Sequence, residues 1–278
     1  MASIGRLTKK SVGEFNPSEW QAEGHSLLLA SRSMRAQWLV ERRKLLKYPD
    51  KVQANDLGWF LRLSKIDRAL PKASILLMCY AVEMYLKSSL ARVLSGCAED
   101  LFNHLSRREF GHRYTKLACF IEFPLTEADR VHLNALESAV VADARYPIQV
   151  KDGEDYIENV NKLRSKVTDR SIYRAYCNLA KRLSLHSRKI GGTPESTVFC
   201  ESFSIDSDGY LSMRAGGDVS TRITYKLSSE MKRHSEPLTM LRDNLDGIAP
   251  ITASLWNNAT FWEHEGEGKK ISFKKVGQ

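Results

Sequence analysis

Apolar positions recur at three- and four-residue intervals through most of residues 16–190, and in shorter runs after that they alternate with polar ones. The strongest helical pattern is residues 71–95. Placed at about 100° per residue, Ile75, Leu76, Cys79, Val82, Leu86, Leu90, Val93 and Leu94 form one wide apolar face, and Ser88, Ser89 and Arg92 fall opposite. Pro71 suits a first helical turn and Gly96 a helix stop. Glu83 and Lys87 fall near the middle of the apolar face. A charge there is costly unless it is paired. Two arrangements satisfy it: Glu83 and Lys87, four apart, pair with each other, or Glu83 fixes a polar network between helices.

The same patterning predicts the neighbouring elements. Asn16-Pro17-Ser18-Glu19 reads as a helix start, and the helix runs to about Leu46 with Trp20, Leu27, Leu28, Met34, Trp38, Leu39 and Leu45 turned inward. Residues 54–70 form a shorter segment leading into the central helix. A corner at 107–114 precedes a helical run to Pro124, and Thr126-Glu127-Ala128-Asp129 caps the next helix. Pro147 ends that region by restricting Tyr146. A long amphipathic stretch, 155–188, has a candidate break at Thr168-Asp169 and stops at Gly191-Gly192. Beyond it, 196–205 and 210–214 flank Asp206-Ser207-Asp208-Gly209 as a β-hairpin, and 222–227 is a third strand candidate. A helix follows Pro237, a segment with Trp256, Phe261 and Trp262 reads as helical, and 271–276 as a last strand. The expected organisation is a flexible arm (1–15), an antiparallel helical bundle (16–192) and a smaller α+β region (193–278). The fold class is mainly α.

Composition narrows the function classes. The net charge is +9, but it is uneven: residues 1–190 carry +11 and residues 191–278 carry −2. A basic bundle fits an anionic partner such as RNA, or else is a solvated charged exterior. Five scattered cysteines without a C-x-x-C pair argue for reduced thiols in the cytoplasm, against a disulfide frame or zinc site. No apolar leader follows the basic N-terminus, and the pattern predicts no membrane partner. Asp206-Ser207-Asp208-Gly209 lacks the distal Glu of a calcium loop, since that position is Gly217. His264-Glu265 lacks the second His of a zinc protease helix, and neither Gly-Gly pair has phosphate-loop spacing. No cofactor is expected.

Three local patterns taken together resemble a family: Ala81-Val82-Glu83-Met84-Tyr85-Leu86-Lys87, Gly111-His112-Arg113-Tyr114-Thr115-Lys116-Leu117, and Arg145-Tyr146-Pro147. In this order they resemble the HEPN superfamily, over about residues 55–190. The resemblance implies an antiparallel helical bundle, often a homodimer, of a prokaryotic defence or toxin–antitoxin type. It implies action on RNA, in many members as a metal-independent ribonuclease. The family signature is an Arg, a polar residue, and a His four to six residues further on. Arg145 stands at the corresponding place, though residues 150–152 are Val, Lys and Asp; Arg107, Arg108 and His112 match the spacing elsewhere. By this resemblance His112 would transfer a proton, Arg107 or Arg145 would stabilise charge on the phosphate, and Glu83 would hold His112. Lys87, Arg108, Arg113 and Tyr146 are then candidates for binding RNA. The rival expectation is a non-catalytic module that binds nucleic acid or a partner protein. Either way, Glu83 is predicted to lie within hydrogen-bonding reach of His112 or Arg145.

Overall fold

The computed structural model describes residues 5–47, 57–143 and 153–276. Two long helices form its spine: α1 (Pro17–Lys47) and α2 (Leu57–Val93). Asn16 Oδ1 accepts from the Ser18 amide at 2.9 Å and so caps α1 as its sequence predicts. The helices run antiparallel, and their seam is built from small and polar residues at seven-residue steps. On α1 these are Pro17, Gly24, Ser31 and Trp38; on α2 they are Asp67, Ser74, Ala81 and Ser88. Ser88 Oγ donates to the Pro17 carbonyl at 2.7 Å, Ser31 Oγ to the Ser74 carbonyl at 2.7 Å, and Trp38 Nε1 to Asp67 Oδ1 at 2.8 Å. Gly24 sits so close to the Tyr85 ring that a Cβ would fall 2.7 Å from it.

This seam overturns three sequence expectations. The inward face of α1 is Gln21, Gly24, Ser31, Arg35, Trp38 and Glu41, and Met34 and Leu39 are exposed. Ser88 and Ser89 are buried, because α2 is covered on both flanks by α1 and a later helix. Pro71 lies inside α2 instead of starting it. A proline there removes one backbone hydrogen bond, but α1 holds the helix on both sides of the break, at Asp67 and Ser74.

After α2 the chain turns at Gly96, whose φ is +83° and whose missing Cβ would lie 2.3 Å from Ser212 Oγ. The short α3 (Glu99–His104) runs into a π-helical turn, Leu105–Glu109. Next come α4 (Tyr114–Phe120) and α5 (Glu127–Ser138), the latter started by a Thr126–Asp129 capping box. Then α6 (Gly153–Thr168) and α7 (Arg170–Ile190) meet at Asp169, whose carboxylate accepts from the Ser171 and Ile172 amides. The Arg35 guanidinium seals that junction by donating to the carbonyls of Val167, Thr168 and Asp169, stacked between the rings of Trp38 and Tyr173.

The C-terminal region is a five-stranded sheet in the order β1 (Phe199–Ile205), β2 (Gly209–Ala215), β3 (Arg222–Lys226), β4 (Thr260–Glu265), β5 (Ser272–Val276). The β3–β4 pair is parallel and the others antiparallel. The crossover between β3 and β4 carries α8 (Pro237–Ile248) and α9 (Pro250–Leu255). Trp256 follows α9 in a short 3-10 helix, as its sequence suggested, whereas Phe261 and Trp262 lie in β4. Alternation along β2 and β3 explains why both strands are wholly buried. Tyr210, Ser212, Arg214 and Arg222 face the bundle, where Ser212 bonds the Ser95 carbonyl and Arg222 the Phe120 carbonyl. Leu211, Met213, Ile223 and Tyr225 face α8 and α9.

Residues 5–15, expected as a loose arm, are pinned instead. Leu7 is buried, exchanges backbone bonds with Gly96 and Cys97, and Gly5 accepts from the Glu99 amide. Among the described residues α2 alone has the length and composition to cross a membrane, but 56% of its most apolar window is buried within the protein.

Candidate functional site

The central helix places Glu83 on its buried side, 4% exposed, facing the corner between α3 and α4. Three donors converge on the two carboxylate oxygens. Lys87 Nζ lies 2.7 Å from Oε1, His112 Nδ1 lies 2.8 Å from Oε2, and the Tyr114 hydroxyl donates to Oε2 at 3.1 Å. Both arrangements open from the sequence therefore occur together: the helical pair and the network between helices. With Nδ1 turned to the carboxylate, the His112 ring presents Nε2 as its other polar atom, and its side chain is 40% exposed. Burial and the Glu83 charge push the Tyr114 hydroxyl well above its ordinary range, so it stays a donor. The Lys87 ammonium lies 5.4 Å over the Trp20 ring, which ties α1 to the same cluster.

The other candidates do not join Glu83. Arg107 is exposed and ion-paired with Glu14 of the N-terminal segment. The Arg113 guanidinium donates to the Arg108 carbonyl at 3.3 Å, and both side chains face outward. Arg145 and Tyr146 lie outside the described residues. The thiols of Cys79 and Cys97 are pushed up to about 12 by burial, which leaves them unreactive.

A second feature was not read from the sequence. Between α1 and α7 runs a cleft of about 670 Å³. Arg32 and His25 line it from α1, and Arg170, Arg174, Lys181 and Arg188 from α7; no carboxylate lines it. All six side chains are exposed. The ion pairs among the described residues lie elsewhere, so none of these cations is neutralised by one. The floor is polar and fixed: Gln21 Nε2 donates to Ser184 Oγ at 2.7 Å, and the Tyr85 hydroxyl lies 3.1 Å from His25 Nδ1. Burial pushes that hydroxyl up to about 12. The signal was present in the sequence as a row of cations on α7, at steps of four, seven and seven, matched on α1 by His25 and Arg32. What the sequence could not supply was that these two rows face one cleft.

Glu83 and Tyr85 are two residues apart, or about 200° around α2. The basic cleft and the His112 corner therefore lie on opposite flanks of the central helix. Among the described residues no group of three His, Cys, Asp or Glu side chains is placed to hold a metal ion. Comparison with protein-family models, curated proteins and solved structures finds no match to this chain.

Proposed function

We propose that this chain is an RNA-binding helical protein that takes the phosphate backbone of a single strand along the α1–α7 cleft. The observation that carries the reading is the row of five permanently charged side chains, Arg32, Arg170, Arg174, Lys181 and Arg188, with no carboxylate among them. From residue 170 to 188 the row extends over about 27 Å of helix, a length for a polyanion and not for a single phosphate. The aromatic rings beneath it, Trp38, Tyr85 and Tyr173, are buried. They offer no stacking platform, so recognition is of backbone charge with little sequence preference.

Binding should be steeply salt-dependent. Five contacts to a single strand give a slope of about −3.5 in log K against log salt. Fluorescence anisotropy with a labelled single-stranded RNA measures it. Arg174→Glu with Lys181→Glu should weaken binding at least tenfold at 100 mM salt and flatten the slope by about 1.4. Unchanged affinity in this double variant sinks the proposal.

A ribonuclease is the second reading, favoured by one observation. A carboxylate holds His112 by Nδ1, and the ring is partly exposed, as a general base requires. It would belong to the HEPN-like assignment, which stays a proposal together with the homodimer and the defence setting. Metal-independent cutting in EDTA that disappears in His112→Ala supports it; intact RNA with both proteins excludes it. The position of the cleft, across α2 from His112, favours binding over cutting.

A further inference from the structure

Away from the cleft and from Glu83, a pocket of about 400 Å³ opens where the start of α3 meets the sheet. Asp100 and Asn103 line it from α3, His264 from β4, and Phe15 from the N-terminal segment. His264 is 1% exposed, yet its Nε2 has no hydrogen-bond partner. The same holds for Asp100 Oδ1 and Asn103 Oδ1, and for Nδ1 of the adjacent His104. Buried polar atoms without partners are rare in folded proteins. Of the eight such atoms among the described residues, four gather here, so the deficit is a property of this place.

The chemistry of the wall selects the ligand. Glu99, Asp100 and Glu267 bring three carboxylates against one ammonium, Lys226, which already donates to Glu267 at 2.8 Å. Burial pushes His264 down to about 4, so its ring adds no positive charge at neutral pH. The Tyr210 hydroxyl lies 3.0 Å from His264 Nδ1. In the tautomer that donates from Nδ1 to this hydroxyl, Nε2 is an acceptor. Asp100 Oδ1, Asn103 Oδ1 and His264 Nε2 then make three acceptors in a wall of net negative charge. A primary ammonium has three N–H donors and one positive charge. A metal ion fits less well, because no three His, Cys, Asp or Glu side chains among the described residues are placed to hold one.

We propose that this pocket binds a small alkylammonium ligand, its –NH₃⁺ donating to Asp100 and Asn103 and its carbon chain lying against Phe15. The site is independent of the RNA cleft. Isothermal titration calorimetry of the full chain with 1,4-diaminobutane tests it, with tetramethylammonium as a cation of similar charge but no N–H. The diamine should bind saturably at millimolar concentration or below, and tetramethylammonium should not. Asp100→Asn should weaken the diamine at least tenfold, and Asn103→Ala provides the same test without changing a charge. Arg174→Glu with Lys181→Glu should leave diamine binding unchanged, which separates this site from the cleft. No saturable heat up to 10 mM diamine means that ordered water alone fills the pocket, and overturns the proposal. Equal binding by wild type and both pocket variants overturns it as well.

Discussion

Replacing Glu83 by Gln keeps the shape of the side chain and removes its charge, and so tests what the buried network is worth. In the native protein one carboxylate satisfies Lys87, His112 and Tyr114. An amide has one acceptor oxygen and brings a donor of its own, so at least one of the three donors faces an N–H in place of an oxygen. Lys87, with a side chain only 13% exposed, loses its ion-pair partner. Breaking a buried pair from one side costs about 3–5 kcal/mol. The lower end applies here, since Lys87 keeps some solvent and the Trp20 ring. For 278 residues, an unfolding entropy of about 2.1 cal/mol/K per residue turns 3 kcal/mol into a drop of about 5 °C in Tm. Thermal melts followed by circular dichroism at pH 7 measure it. The double variant Glu83→Leu with Lys87→Met removes both charges and should recover part of the loss. A Tm for Glu83→Gln within 1 °C of wild type would refute the claim that this carboxylate is a buried structural centre.

Further outcomes follow from other parts of the fold. Gly24→Ala places a methyl 2.7 Å from the Tyr85 ring; the α1–α2 seam must open, at about 1–3 kcal/mol by urea denaturation. Arg35→Ala removes three bonds to the carbonyls at the α6–α7 junction and should cost about 2–3 kcal/mol, with faster amide exchange at the start of α7. His264 gives a pH dependence. Its folded pKa is lowered to about 4 by burial, against about 6.5 unfolded. Between these values the unfolded state takes up a proton that the folded state refuses. Stability is therefore full above pH 6.5 and falls by about 3 kcal/mol as pH drops to 4. Asp100 and Glu267 favour the charged ring, and Lys226 and His104 oppose it. His264→Gln should lose this part of the acid sensitivity in urea melts at pH 7 and pH 4.5. Asp129 also loses its contribution on acidification, but as a carboxylate that the fold holds charged. Burial opposes its ionisation, but bonds from Arg182 and Thr126 outweigh that and hold its carboxyl below the usual range. Its contribution is present above pH 4 and is lost as pH falls through the lowered value. Arg182→Met should thus cost about 1 kcal/mol at pH 7 and less at pH 3.

Much of the secondary structure was legible in the sequence because its signals are local. Asn16-Pro17 starts α1, Thr126 with Asp129 starts α5, Asp169 starts α7, and Asp206–Gly209 turns the first hairpin. The three helix starts are side chains bonding to their own backbone within a few residues, and the hairpin turn is set by the residue types that turns require. Glu83 was legible for a related reason. A charge in the apolar row of a helix requires a partner; His112 and Arg145 were the two candidates, and His112 is bonded to it.

Tertiary packing decided what depended on a partner surface. The inward face of α1 was legible only at its large residues: Trp38 is buried and Trp20 and Leu28 pack on the core, whereas the seam with α2 is built from Gly24, Ser31, Ser74 and Ala81, whose small size lets two backbones approach. Pro71 continues a helix that its local chemistry would interrupt, because α1 braces both sides. The strand of Phe261 and Trp262 was hidden because pairing with β3, which is remote in sequence, sets it inside the sheet, beside its neighbour β5. The basic cleft follows the same rule. Helical spacing alone set the rows on α1 and α7, but only the antiparallel meeting of these two helices, fixed through Gln21–Ser184 and Ser31–Tyr173, turned two rows of charge into one site.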